Sequence, residues 1–529
     1  MTSRVNAPKK QTFMQGALIL LIANLAVKVI GALFKIPLQH LIGDDGMALF
    51  NQAYQIYVAL FVISTAGVPV ALSKLIAESN ALGREREVGR IVRISAALFL
   101  TIGALCTAGM FFGAEQLAAA IGNPPAAAAM RMIAPSVVLV CLVAIIRGYF
   151  QGLSNMVPTA VSQVIEAACK LGIGYCAALW AIRSGFDLPM IAAFAISGVT
   201  IGELLAAVYM MLRFVFFRRP QGGLNDYCRS NGVLLRTIVL IAVPITITSA
   251  ITSITTLIDT ALVMRRLQAG GMALEQANLL FGAYTTKAFT LFNLPQTLIT
   301  ALSTALLPSI SSACARQNFT QASRTMGSAM RIAMLIALPA MTGFLAVSEE
   351  VIGLLFKGDT TVSGRLLQIL AFAVPFVAMV GLTNAILQAT GRVHIPVIAM
   401  CCGAAVKLTC NWILVSNPDI GIYGAPVGTL LCYLTITGIN LTCLRRQLTL
   451  PRLDKLLFRP LAACVGVGAA AVIIVRLGAP LVGERLATVA AIGAAVVVYA
   501  ALLVALHAFE KEDILLLPGG KRLAKLLKL

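Results

Sequence analysis

Long apolar runs separated by short polar breaks set the pattern of this chain. The first run, 16–43, reads GALILLIANLAVKVIGALFKIPLQHLIG. A helix needs about 20 such residues to cross a bilayer. Fourteen stretches of this kind follow one another, approximately 14–40, 48–73, 91–113, 128–150, 157–182, 189–214, 234–264, 278–306, 327–347, 364–388, 394–416, 421–444, 460–478 and 483–507. The breaks carry ordinary turn residues: GDDG at 43–46, GNPP at 122–125, RRPQGG at 218–223 and NPDIG at 417–421. Membrane strands would read as alternating segments of about 10 residues, so a β-barrel is excluded. The pattern predicts an all-α polytopic membrane protein with about fourteen transmembrane helices.

Composition agrees. The chain is 59% hydrophobic and 12% charged, with mean hydropathy +0.91, against about 25% charged residues in soluble domains. The first apolar run is too long for the core of a cleavable signal. The twelve cysteines are scattered through apolar runs without a CxxC and read as small packing residues. A net charge of +20 would suggest nucleic acid in a soluble chain. Here the N-terminus-inside topology puts 28 of the 41 Lys and Arg at inner segments and 8 at outer ones. That bias predicts a cytoplasmic membrane protein with both termini cytoplasmic, and it accounts for the charge without nucleic acid. The tail KRLAKLLKL, 521–529, reads as a short basic amphipathic segment on anionic lipid.

The apolar pattern also repeats. Pro69 and Pro308, Arg93 and Arg331, Gln151 and Gln388, Pro158 and Pro396, and Lys170 and Lys407 are all separated by 237–239 residues. Six helices fit in one period, so the halves have the same topology. The expected organisation is two pseudo-symmetric six-helix lobes, 1–230 and 231–450, then two further helices over 451–510 and a basic tail over 511–529. Substrate sites in such folds sit at the repeat interface.

Charges within the spans carry the candidate chemistry. Asn24, Lys28 and Lys35 share one face of the first helix, by their spacing of four and seven. Lys170, Lys287 and Lys407 are also mid-span, as are Glu166, Glu203 and Asp259. Five lipid-facing lysines would cost roughly 12–17 kcal/mol on the insertion scale, about the whole stability of a typical fold. They must be paired, hydrated in a cavity, or near enough to an end to snorkel. Glu166 and Lys170 are spaced i,i+4 with the acid first, the favourable order for an ion pair. Lys407 has Gly403 where Glu166 stands in the first half, so it is open to an anion. Glu203 reads as structural. The set is net +2, a sign that attracts an anionic ligand. Lysine, a compact hydrated charge, suits phosphate. No P-loop, HExxH, GxSxG or dinucleotide fingerprint occurs, and His40, His394 and His507 have no metal spacing. The expectation is a transporter without catalytic residues, metal or cofactor, driven by a gradient or the membrane potential.

Three stretches carry a resemblance: KVIGALFKIPLQHLIGDDGMALFNQAYQIY at 28–57, STAGVPVALSKLIAE at 64–78 and IIRGYFQGLSNMVPTAVSQVIE at 145–166. They resemble the stage V sporulation protein B group of the multidrug/oligosaccharidyl-lipid/polysaccharide exporter superfamily, near the lipid II flippases. The resemblance implies fourteen helices, two lobes and alternating access. It implies a polyprenyl-pyrophosphate-linked cell-wall precursor, or a related lipid-linked anionic glycan, moved from the inner to the outer leaflet by a monomer in contact with membrane lipid. In the flippases basic residues of helices one, two and eight line the cavity. Lys28, Lys35 and Lys287 match helices one and eight, while helix two here has no mid-span cation. Spans thirteen and fourteen match a groove for the lipid tail. Some flippases bind sodium through an acid in helix seven and polar groups in helices eleven and twelve. Asp259, Asn411 and Thr429 match these, with Lys407 one turn from Asn411. Two other readings stay open, a cation-coupled drug exporter of the same superfamily and a non-transporting scaffold in wall or spore-cortex synthesis.

Overall fold

The computed structural model describes residues 13–216, 228–297, 318–390, 394–446 and 454–506, with positions 299, 310, 316, 392 and 448 between them. The basic tail and the first twelve residues lie outside the described residues. The described helices are α1 (Phe13–Thr65), α2 (Val68–Ala81), α3 (Glu85–Phe112), α4 (Ala114–Ile121), α5 (Ala127–Ile133), α6 (Ser136–Gly152), α7 (Val157–Arg183), α8 (Leu188–Phe216), α9 (Asn231–Ala269) and α10 (Leu274–Gly282). A π-helical turn, Ala283–Ala288, follows α10. Then come α11 (Phe319–Leu355), α12 (Thr361–Ala371), α13 (Val374–Ala389), α14 (His394–Leu414), α15 (Gly424–Arg445), α16 (Arg459–Val482) and α17 (Glu484–Ala505).

Among the described residues eleven helical stretches are long and apolar enough to cross a membrane, twelve if a bent pair counts as one span. The sequence pattern predicts fourteen, and beside the bent pair the difference falls at two places. First, the opening stretch Ile22–Ala81 runs on as one, although α1 is broken inside at Gly43, which has φ +70° and ψ −175°. Only glycine takes that conformation without strain, and the GDDG motif supplies it. Second, the expected eighth span is interrupted by the π turn, and its end at 298–306 lies almost wholly outside the described residues. The bent pair is Thr361–Ala371 with Val374–Gln388, 46° apart. Its break at 372–373 stands 238 residues after the break at 134–135 between α5 and α6, so the repeat extends to the helix interruptions.

The chain divides into two compact units, residues 1–264 and 265–529. In the first, one core gathers Phe34, Leu38, Phe50, Met130, Ile133 and Ile196, and a second gathers Leu72, Ile76, Ile91, Phe150 and Ile238. In lipid, apolar burial alone does not hold helices together, and close backbone packing does much of it. α7 and α8 follow this rule: a Cβ on Gly198 would stand 2.5 Å from the Gly174 backbone. Most of α9, which the sequence pattern assigns to the second lobe, packs with the first unit. Gly67 lies against the Ala242 carbonyl, and its N–H donates to Thr246 Oγ1 at 3.2 Å.

In the second unit α13 and α15 are tied by Asn440, whose amide donates to Thr383 Oγ1 at 2.9 Å and to Asn384 Oδ1 at 2.8 Å. α16 and α17 pack on α11 through Leu335, Ala463 and Leu503, and Tyr499 donates to the Leu335 carbonyl at 2.9 Å.

Candidate functional site

The second arm of α1, 44–65, presents aromatic rings at i, i+4, i+7 and i+11, which lie along one helical face. Together with Phe34 from the first arm they form a ladder. Ring centroids are 5.8 Å apart for Phe34–Phe50, 6.1 Å for Phe50–Tyr54, 5.7 Å for Tyr54–Tyr57 and 6.1 Å for Tyr57–Phe61. α7 lays Lys170 across this ladder. Its ammonium is 4.0 Å from the Tyr54 centroid, 5.5 Å from Phe34 and 5.9 Å from Phe50. Ring faces are electronegative, so they hold the cation without neutralising it. Lys35 is half-buried and within electrostatic reach of Lys170. Neither lysine has a carboxylate within ion-pair distance among the described residues.

One turn before Lys170 the charge changes sign. Glu166 pairs with Arg147 of α6, at 3.4 Å, and Arg147 Nε also donates to Ser162 Oγ at 2.9 Å. The i,i+4 spacing predicts Lys170 as the partner of Glu166. The structure gives that carboxylate to Arg147 and leaves Lys170 on the rings. Glu203 of α8, 1% exposed, completes the cluster. Tyr57 donates to its Oε1 at 3.5 Å, its carboxyl lies against that of Glu166, and its Oε2 has no hydrogen-bond partner. α1, α6, α7 and α8 thus bring together two ammonium groups, one guanidinium and two carboxyls along an aromatic wall.

The other predicted residues fall elsewhere. Asn24 and Lys28 share the exposed face of α1. Lys287 is fully buried in the π turn, and its ammonium donates to the Asp359 carbonyl at 3.3 Å. That is a closed position within the second unit, where an open cavity wall is the sequence expectation. Lys407 is half-buried on α14. Asp259 is buried on α9 in the first unit. Asn411 and Thr429 are buried in the second, where Thr429 shares a hydrogen bond with Tyr284 at 3.3 Å. No cluster of three or more metal-ligating side chains occurs among the described residues.

Arg147, Tyr54 and Tyr57 are the members that sequence reasoning misses. Arg147 counts in the sequence as one more inward charge. The signal available is the repeat. Arg147 is 237 residues before Asn384, and Glu203 is 237 before Asn440. The helices that carry charges in the first unit carry a bonded pair of amides in the second.

The comparisons with known proteins agree with this architecture. The sequence profile of the family described as "Polysaccharide biosynthesis protein" matches residues 13–314, more than half of the chain. A second profile, MatE, matches 244–413. The uncharacterized membrane protein YabM of Bacillus subtilis (strain 168) is 28% identical over 532 residues, covering 98% of this chain and 97% of the relative. Stage V sporulation protein B of the same organism is 24% identical over 96% of this chain and 98% of the relative. Its lipid II flippase MurJ is 22% identical over 75% and 76%. Among solved structures, lipid II flippase MurJ in an inward closed conformation superimposes with TM-score 0.71 at 15% identity, covering 92% of this chain and 98% of that one. An inward-facing MATE multidrug-resistance transporter gives 0.65 at 14% identity over 80% and 93%. At such identities the structural likeness is one of fold. The chain belongs to the family described as polysaccharide biosynthesis protein, and is a multi-pass helical membrane protein.

Proposed function

We propose that the protein carries a lipid-linked anionic glycan, of the polyprenyl-pyrophosphate class, across the cytoplasmic membrane by alternating access, with both termini on the cytoplasmic side. The observation that carries this reading is the pair Lys35 and Lys170, ammonium groups at mid-helix positions without a carboxylate partner among the described residues. Charges at such depth in a membrane protein are expensive and mark substrate or ion pathways. An aromatic bed fixes Lys170 in place and leaves its charge for a ligand, and two neighbouring cations suit a pyrophosphate better than a single charge does. Asn24 and Lys28, on the exposed face of the same helix, extend the positive surface. The relation to the lipid II flippase supports the same cargo class. Lys407 belongs to the proposal as the contributor from the second half, Lys287 being closed against the Asp359 carbonyl, with Asp259 and Glu166 as groups that set the local charge or take a coupling ion.

The test is flipping of a fluorescent polyprenyl-pyrophosphate disaccharide in proteoliposomes. Lys35→Gln and Lys170→Gln are expected to slow it at least tenfold, and Lys170→Arg to retain most of it. Unchanged rates in both Gln variants would overturn the reading. Export of cationic drugs in place of the glycan would support the drug-exporter alternative.

A further inference from the structure

A polar cavity lies in the second unit, well away in the chain from the cluster on α1, α6, α7 and α8. It occupies about 540 Å³ between the C-terminal ends of α11 and α16 and the start of α17. That is within the range of small-ligand sites, about 300–1,000 Å³. Its lining includes Glu349, Glu350 and Glu484 with Arg476 and Arg485, and Thr488 at the side. Among the described residues none of these five charged side chains makes an ion pair or a side-chain hydrogen bond. Charges of both signs thus surround one space and leave one another unused.

The backbone builds this space. α11 leaves helical geometry at Val347, with φ −138° and ψ 40°, and this re-aims its last turn with Glu349 and Glu350. Gly364 of α12 has no Cβ where the Glu349 side chain passes. α16 and α17 are joined at Gly483, with φ +84°, and Gly478 lets them approach at Ala487, where a Cβ would stand at 3.3 Å. The surface beside the cavity is apolar: Leu477, Leu481 and Leu486 are 66%, 82% and 65% exposed. A ligand there meets both charges at one end and an oily wall at the other.

We propose that this cavity binds the headgroup of a zwitterionic phospholipid carrying a primary amine, the phosphoethanolamine class. Its phosphate bonds to Arg476 and Arg485, its ammonium to Glu349 and Glu350, and its acyl chains lie along the apolar face of α16 and α17. Arginine forks match phosphate oxygens, and a primary ammonium offers three donors to carboxylates. An anionic head would face three carboxylates and a purely cationic one two guanidiniums, so neither sign alone satisfies the lining.

The test uses the purified full chain in detergent, with native mass spectrometry and thermal unfolding in the presence of added phosphatidylethanolamine, phosphatidylcholine or phosphatidylglycerol. Phosphatidylethanolamine is expected to bind at least tenfold more tightly than the other two and to raise Tm. The quaternary ammonium of phosphatidylcholine lacks the donors, and the head of phosphatidylglycerol lacks the amine. The double variants Arg476→Gln with Arg485→Gln, and Glu349→Gln with Glu350→Gln, are each expected to bring phosphatidylethanolamine down to the level of the others. Equal binding of the three lipids by the unmodified chain overturns the proposal, whether or not the variants fold. So does selectivity that survives in both double variants.

Discussion

Lys170 shows how a cation is kept at depth without being spent. Its ammonium stands 4.0 Å over the Tyr54 ring, and two more rings lie within 6 Å. Such contacts are worth about 2 kcal/mol when desolvated, less than a buried ion pair would demand of an incoming ligand. Tyr54→Leu removes the nearest ring and leaves the charge. Flipping measured against substrate concentration should then show half-saturation raised several-fold and maximal rate changed little. Lys170→Met keeps the length and the packing and removes the charge, so the rate itself should fall at least tenfold while the Tm in detergent stays within a few degrees. Glu166 and Lys170 are visible in the sequence as an i,i+4 pair, because helical periodicity relates residues on one helix. It says nothing about the guanidinium on the neighbouring helix, which takes Glu166 at 3.4 Å. Lys287 is legible as a mid-span lysine for the same reason. Its closure against the Asp359 carbonyl depends on a π turn that no spacing rule announces.

Helices are held here by two devices of opposite character. α7 and α8 meet backbone to backbone at Gly174 and Gly198. Gly198→Ala puts a methyl group onto the Gly174 backbone, an overpacking that costs about 1–3 kcal/mol. Gly198→Leu should prevent the pair from closing, and expression of folded protein should drop, as size-exclusion profiles would show. The other device is ionic. Glu87, at the start of α3, is fully buried and accepts from Arg229 Nε at 2.9 Å, from Arg229 Nη2 at 2.7 Å and from Ser79 Oγ at 2.8 Å. The backbone N–H of Arg229 donates to the other carboxylate oxygen at 2.9 Å, and Glu78 lies 3.4 Å from the guanidinium. This group fastens the segment before α9 to α2 and α3. Removing one member leaves a buried charge alone, which costs about 3–5 kcal/mol. Arg229→Met should therefore lower stability in chemical denaturation by that order, whereas Arg236→Met, with its side chain on an exposed position, should change it little. In the sequence both arginines count simply as cytoplasmic positive charge. The positive-inside bias locates them relative to the bilayer but cannot distinguish a solvated charge from a latch.

The repeat makes the two halves alike in outline and unlike in chemistry. Its period was readable from prolines and charges spaced 237–239 apart, because a duplicated helix keeps its break points. The breaks at 134–135 and 372–373 obey the same offset. Contacts between helices were not readable in that way. Arg147, Glu166 and Glu203 of the first unit stand where the second has Asn384, Gly403 and Asn440. The second unit satisfies these positions with an amide pair at 2.8 Å, so the helix contact needs hydrogen bonds but not charge. Placing three ionisable groups, Glu203 buried and Arg147 and Glu166 half-buried, where two amides suffice raises the cost of folding. Such a cost is retained where the charges serve a purpose, and in a membrane span that purpose is a ligand or an ion. The chain itself supplies the control. Arg147→Asn with Glu203→Asn, and Glu166→Gln to avoid the helix penalty of glycine, copies the neutral solution of the second unit into the first. If the charges hold α6, α7 and α8 together, the triple variant should lose folded protein in size-exclusion and thermal assays. If they serve the cargo, folded protein and Tm should be kept while flipping in proteoliposomes falls at least tenfold. The amide pair already working in the second unit makes the latter the expected outcome.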